Sequence, residues 1–389
     1  MRRLACAACL AGLVATLVLA AAARPASQSR YLVTGIFDDA HIFGGDPATV
    51  FPELNQLHVR MIRVTLWWGG PLGVAPQRPA IAADPGDAAY RWAAYDRVVR
   101  AAGAAGIRVM FTILGTPFWE SGIAAWNRAP RDAKDLQAFA TAAARRYDGT
   151  FRVGDATALP AVRYWTAWNE PNSPVFLRPQ YRRVGGKWVV QSGRDYARIC
   201  NAVVAGVKSG GGARALVACG VTAPRGNNEP STARASVSPL AFVQAMWAAG
   251  ARGFDAYAHH PYYGAPNETP STPPPQGTRG QPPTAVTLGN FSSLVREVTR
   301  RYGSSVRFWI TEYGYQTNPP DKTFGVSWAK QALYLRQAWQ LARANPRVDV
   351  FLWFLLQDEA RLGGWQSGLV TAGGTRKPAF ATFASLSAG

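Results

Sequence analysis

Eight short apolar segments recur along the chain with Ala-rich helical stretches between them, and this alternation constrains the fold more than any other feature. The strand candidates are Tyr31–Phe37, Met61–Leu66, Arg108–Leu114, Val162–Trp168, Ala215–Val221, Phe254–His259, Val306–Thr311 and Val350–Leu355. Helical segments include Tyr90–Ala105, Ala133–Tyr147, Gly193–Val207, Pro239–Ala249, Gly289–Tyr302 and Ser327–Ala344. Gly106, Gly250, Gly253 and Gly303 stand just before the next strand, where helix C-termini favour glycine. Strand–helix alternation implies a parallel α/β sheet. Eight units point to a closed (β/α)8 TIM barrel rather than an open doubly wound sheet. The open sheet would also require a Gly-rich nucleotide loop after the first strand, and no GxGxxG or GxxxxGK[ST] is found there.

The N-terminus reads as a leader. Arg2 and Arg3 precede an apolar run, Leu4 to Ala23, that closes on small residues. That is the layout of a signal peptide, 1–23, cleaved after Ala23; the rival reading is an uncleaved anchor, since the run approaches the ~20 residues of a spanning helix. With the leader removed, no stable membrane insertion is expected. The mature chain, 24–389, is expected to be one catalytic domain and a monomer, secreted to the extracellular space or held at the cell wall. In such a compartment the two remaining cysteines, Cys200 and Cys219, either pair, clipping the end of a helix to the following strand, or stay as buried thiols. Residues 265–284, dense in Pro, Thr, Gly and Gln, form an irregular loop after the sixth strand, either a substrate-binding wall or a disordered insertion.

Charge and composition exclude other classes. The formal charge is +19, spread along the chain as Arg without a basic run interleaved with aromatics, so no nucleic-acid partner is expected. Contact with an acidic wall polymer remains an alternative use of that charge. His41, His58, His259 and His260 show no metal-ligand spacing, so no metal and no organic cofactor is expected. Fourteen Trp are many for this length, and indoles suit the flat C–H faces of sugars.

The chemistry gathers at two strand ends. The fourth strand finishes in Trp165-Thr-Ala-Trp168-Asn169-Glu170-Pro171-Asn172, and the seventh in Trp309-Ile-Thr-Glu312-Tyr313. Across a barrel mouth those two ends face each other, so Glu170 and Glu312 can converge. Glycoside cleavage needs such a pair, one carboxyl protonating the leaving oxygen while the other attacks or activates water. Asn228-Glu229-Pro230 repeats the letters of the first motif in a polar loop and reads as a turn.

With WNEP on the fourth strand and a Glu ending the seventh, the chain resembles clan A of the glycoside hydrolases over nearly all of its mature length. AWNEPN, AHHPYY and ITEYGYQT are most similar to the cellulase-like family 5 and the xylosidase-like family 39. The resemblance implies that Glu170 is the acid/base and Glu312 the nucleophile of a retaining hydrolase. It further implies that Asn169 binds the sugar 2-hydroxyl, that Arg63 lies beside the nucleophile and keeps it ionised, and that His260 and Tyr262 lie near both carboxylates. Trp353 would be the floor of the subsite for the reacting sugar. Trp67, Trp68, Trp119 and Trp168 are further candidates for sugar platforms, at least half of them expected to be plain core residues. His259, one position from His260 on a strand, is expected to face the other way and be structural. The expected function is hydrolysis of β-glycosidic bonds in an oligo- or polysaccharide, with polysaccharide breakdown as the biological use. The alternative is a non-catalytic glycan-binding barrel at the cell wall.

Overall fold

The structure, a computed structural model, describes residues 28, 29, 32–154, 156–275 and 284–389. The leader, Tyr31 and the middle of the Pro-rich loop lie outside the described residues. Eight parallel strands close into a barrel: β1 (Val33–Phe37), β2 (Met61–Trp67), β3 (Arg108–Leu114), β4 (Tyr164–Ala167), β7 (Leu216–Thr222), β8 (Ala256–His259), β9 (Arg307–Tyr313) and β10 (Val348–Phe354). The ring is sealed by β1 pairing with β10 on one side and β2 on the other. Each expected strand is present. Not foreseen are a hairpin, β5 (Tyr181–Val184) with β6 (Lys187–Val190), a π-helical turn at Asp39–Phe43, and the helices α1 (Pro47–Gln56), α3 (Phe118–Ser121) and α9 (Pro378–Ala388). The foreseen helices are α2 (Ala93–Ala104), α4 (Ala133–Arg146), α5 (Gln191–Gly211), α6 (Pro239–Ala248), α7 (Phe291–Tyr302) and α8 (Trp328–Ala344). Among the described residues, no helix is long and apolar enough to cross a membrane.

Strand alternation sorts the side chains into two cores. The barrel interior holds Met61, Met110, Ala218, Val221, Ala256, Ala258, Trp309, Val350 and Leu352. Trp309 fills this space opposite the small alanines and meets Tyr164 at a centroid distance of 5.5 Å. The neighbours of these residues, such as Ile62, Phe111, Tyr257, Phe308, Phe351 and Trp353, point outward into the larger layer beneath the helices. Continuing the inward series upward from Met61 gives Arg63, Thr65 and Trp67, and from Met110 it gives Thr112 and Leu114. Two irregularities change the aim of side chains near the mouth, a common use of bulges. Gly220, with φ 85°, begins a register shift between β7 and β8; a Cβ there would meet the Tyr257 ring at 2.4 Å. On β9, an extra residue opposite Phe351–Trp353 lets Thr311 and Glu312 both face the mouth while Tyr313 packs outward.

Cys200 and Cys219 form a disulfide, and Cys200 stands in the middle of α5, not at a helix end. The bond therefore staples the body of α5 to β7, closing a separation of 19 residues. Replacing both cysteines by serine is expected to lower the unfolding free energy by about 3 kcal/mol. A guanidinium titration reads this as a lower midpoint; an unchanged midpoint would refute the staple.

Candidate active site

The C-terminal ends of the strands open into a cleft of about 1140 Å³ whose lining includes Asn169, Glu170, Tyr262, Glu312, Trp67, Phe354 and Trp365. The backbone at the end of β4 is bent out of strand geometry, with φ of 68° at Trp168 and 38° at Glu170. Non-glycine residues adopt such angles only where the surroundings impose them, and they gather at functional sites. Here the bend turns Trp168 away and aims Asn169 and Glu170 at the cleft. The Glu170 amide N–H is held by the Val221 carbonyl at 2.8 Å.

Arg63 is fully buried at the centre and spends its donors on four elements. Its Nη1 donates to Glu312 Oε1 at 2.6 Å, its Nη2 to Asn169 Oδ1 at 2.6 Å, and its Nε to Thr112 Oγ1 at 2.7 Å. Longer contacts reach the Thr311 carbonyl at 3.3 Å and His260 Nε2 at 3.4 Å, and the guanidinium sits over the Phe37 ring at 4.2 Å. Since Asn169 accepts from Arg63 through Oδ1, its amide N–H₂ is left as a donor towards the cleft.

The two carboxyls have opposite surroundings. Glu312 pairs with Arg63 through Oε1 and accepts from the Tyr262 hydroxyl at Oε2, 3.2 Å away. Glu170 has no guanidinium against it; burial pushes its pKa from 4.5 up to about 7, opposed only partly by the field of Arg63. His260 Nδ1 lies 2.9 Å from Glu170 Oε1, and its Nε2 lies 3.0 Å from Thr311 Oγ1. Burial lowers the His260 pKa to about 3, so the ring is neutral. Because Arg63 can only donate to Nε2, the ring proton resides on Nδ1 and is donated to Glu170 Oε1. That leaves Glu170 Oε2 to carry the acidic proton.

Of the residues singled out in the sequence, Glu170, Glu312, Asn169, Arg63, His260 and Tyr262 are brought together, and Trp67 lines the cleft. Trp168 and Trp353 are not brought to it. Trp168 is buried, its indole donating to the Phe176 carbonyl at 2.7 Å, because the positive φ reverses its side. Trp353 is buried on the outward face of β10, since the inward series there is Val350, Leu352, Phe354. His259 points outward as alternation requires, between Thr222 and the Val286 carbonyl. Glu229 lies exposed in its loop. Sequence reasoning missed Phe354, Trp365 and the buried Asp38, which accepts from the Leu356 and Gln357 amides; for Phe354 the period-two pattern of β10 carried the signal. Glu170, His260 and Glu312 also place one ligand atom each within 4.8 Å of one another. A cation among them would stand against the guanidinium, and both nitrogens of His260 are already engaged, so the donor set suits proton transfer better than metal binding.

No protein-family model matches the sequence, and no curated protein matches it. Solved structures do match by fold. A family 39 glycoside hydrolase from Bacteroides cellulosilyticus WH2 shares 20% identity with a TM-score of 0.64, over 92% of this chain and 64% of that one. A glucosidase from Croceicoccus marinus shares 15% identity with a TM-score of 0.64, over 94% of this chain and 69% of that one. A monomeric β-xylosidase from Caulobacter crescentus CB15 shares 16% identity with a TM-score of 0.58, over 94% of this chain and 70% of that one. The chain thus spans less than two thirds of the length of the family 39 enzyme. Its fold is the (β/α)8 barrel of these glycoside hydrolases.

Glu170 also leaves a trace in stability. Its native pKa is raised from 4.5 to about 7, so the native state holds the proton more tightly than the unfolded one. The stability this confers is complete below pH ~4.5 and is lost as pH rises through ~7. Glu170→Gln removes the dependence, so the variant should gain on the parent between pH 4.5 and 7.5 in urea unfolding. A pH-independent difference between the two would contradict the burial of this carboxyl.

Proposed function

We propose that the protein is a secreted retaining glycoside hydrolase that cleaves β-glycosidic bonds of an oligo- or polysaccharide. The observation that carries this reading is the convergence of Glu170 and Glu312 in contrasting environments: one is held near neutrality and the other is paired with Arg63. One oxygen of each carboxyl lies within 4.8 Å of an oxygen of the other, a close approach that supports double displacement over an inverting site, whose carboxyls stand ~6.5–9.5 Å apart to admit a water. The open, aromatic cleft suits a chain of sugars. The disulfide supports an oxidising compartment, and with it the reading of residues 1–23 as a cleaved leader.

In the first step a Glu312 oxygen bonds to the anomeric carbon as the glycosidic C–O bond breaks, and Glu170 gives its proton to the departing oxygen. The neutral His260 matters here. Its Nδ1–H steadies Glu170 Oε1 without adding the positive charge that would drive the proton off. Formation of the ester removes the Glu312 charge, and the Asn169 amide can donate to the sugar 2-hydroxyl. In the second step Glu170, now a carboxylate, takes a proton from water; the water oxygen bonds to the anomeric carbon and Glu312 departs as a carboxylate. Both enzyme carboxyls return to their starting states: the departing alcohol carries away the first proton, water supplies its replacement, and the glycosidic bond has become a C–OH bond.

The test is hydrolysis of a panel of β-linked polysaccharides, read as new reducing ends, with Glu170→Gln and Glu312→Gln beside the parent. Both variants should lose at least ~100-fold in rate. Proton NMR of the first product should show the β-anomer, and an α-anomer would overturn double displacement. The rate should fall as pH rises through ~7, where Glu170 loses its proton. If no glycan is cut, or the variants match the parent, glycan binding without catalysis replaces this reading.

A further inference from the structure

Trp353, the residue expected to hold the reacting sugar, faces away from the cleft, yet the cleft has an indole at the same side of its mouth. Trp365, on the loop between β10 and α9, lines the cleft and is 40% exposed. Its ring stands edge-on to Phe354 at a centroid distance of 5.2 Å, and 5.6 Å from Tyr262 at an interplanar angle of 35°. Tyr262 is the donor to Glu312 Oε2, and Phe354 lies 5.5 Å from Phe37, the ring under the Arg63 guanidinium. These four rings make one aromatic wall beside Glu312, with Trp365 as its solvent-facing end.

The loop that presents Trp365 is fixed at several points. Lys377 and Asp358 form a buried ion pair at 2.7 Å, and Lys377 Nζ also donates to Thr317 Oγ1 and the Gln366 carbonyl. Gln366 Nε2 donates to the Glu359 and Arg361 carbonyls. Ser367 Oγ donates to the Phe354 carbonyl, and the Trp353 indole N–H donates to the Ser367 carbonyl at 2.9 Å. Trp353 thus braces the loop from behind.

We propose that Trp365 is the stacking platform for the sugar bound beside Glu312, and that Trp353 and the Lys377–Asp358 pair are positioning residues that hold it there. This rests on the glycoside hydrolase reading and deepens it. An indole accepts a sugar through a flat face of C–H bonds, and a pyranose with equatorial hydroxyls, of the gluco or xylo kind, offers such a face on both sides of its ring. The wall costs exposed apolar surface in the unliganded protein, which such a ligand would cover.

Cellotetraose and xylotetraose are titrated into Glu312→Gln, followed by calorimetry and tryptophan emission, and compared with the same background carrying Trp365→Ala, Trp365→Phe or the control Trp188→Ala on the β5–β6 hairpin. Trp365→Ala should weaken binding ~10- to 100-fold and abolish the emission change, Trp365→Phe should recover part of the affinity, and Trp188→Ala should change neither. In the active enzyme, Trp365→Ala should raise KM more than it lowers kcat. Equal binding with and without the Trp365 indole overturns the platform, as does hydrolysis unaffected by Trp365→Ala, while leaving the glycosidase reading intact. Trp365-dependent binding without hydrolysis by the parent rejects the glycosidase reading and keeps the platform. Absence of binding of both tetraoses to Glu312→Gln overturns the platform for gluco and xylo sugars and leaves the glycosidase reading to the polysaccharide panel.

Discussion

The structure turns on one buried cation. Arg63 is enclosed on the inner face of β2, and a guanidinium taken out of water is tolerated only if its partners replace the lost hydration almost completely. They do so from every side: Glu312 and the Thr311 carbonyl on β9, Asn169 beyond β4, Thr112 on β3, and the Phe37 face on β1. β9 lies across the barrel from β2 and β3 and meets Arg63 only when the ring is closed. The ion pair therefore ties the position of the Glu312 carboxylate to completion of the fold, and removal of either partner would leave a buried charge uncompensated.

Around this cation the same chemical group is given two characters. Glu312 is drawn to the guanidinium and oriented by a tyrosine hydroxyl, whereas Glu170 is desolvated by burial and meets a neutral imidazole. Burial raises the proton affinity of Glu170, so it can hold a proton to give beside a carboxylate that is ion-paired with Arg63. The backbone strain at Trp168 and Glu170 is part of the same arrangement, since an unstrained strand end would turn the indole, and not the Asn169 amide, towards the mouth.

Much of this was legible in the sequence. The eight strands declared themselves as apolar runs between helical stretches, and strict alternation separated His260 from His259 and places Arg63 on the inner face. Alternation also explains where the reading failed. Trp353 was assigned by likeness of position, yet the inward residues of β10 are Val350, Leu352 and Phe354. Trp168 obeyed the period until a positive φ reversed it, and no residue type announces such an angle at a tryptophan. The β5–β6 hairpin did carry a signal, Gly185-Gly186, the kind of turn that joins antiparallel strands, but its flanking residues are too polar and exposed to stand out. Trp365 lies in a loop whose path depends on Lys377 and Asp358, partners 19 positions apart, and such pairings have no local pattern.

The seal of the barrel joins the first strand to the last. Val33–Phe37 pairs in register with Val350–Phe354, so the ring stays open until nearly the whole chain is available. Contacts this distant in sequence are slow to form because the loop must close before any pairing rewards it. The early strands and helices can gather while the polypeptide is still being made, but the mouth, and with it the alignment of the two carboxyls, is assembled last. The cleft is thus incomplete until β9 and β10 have joined the barrel.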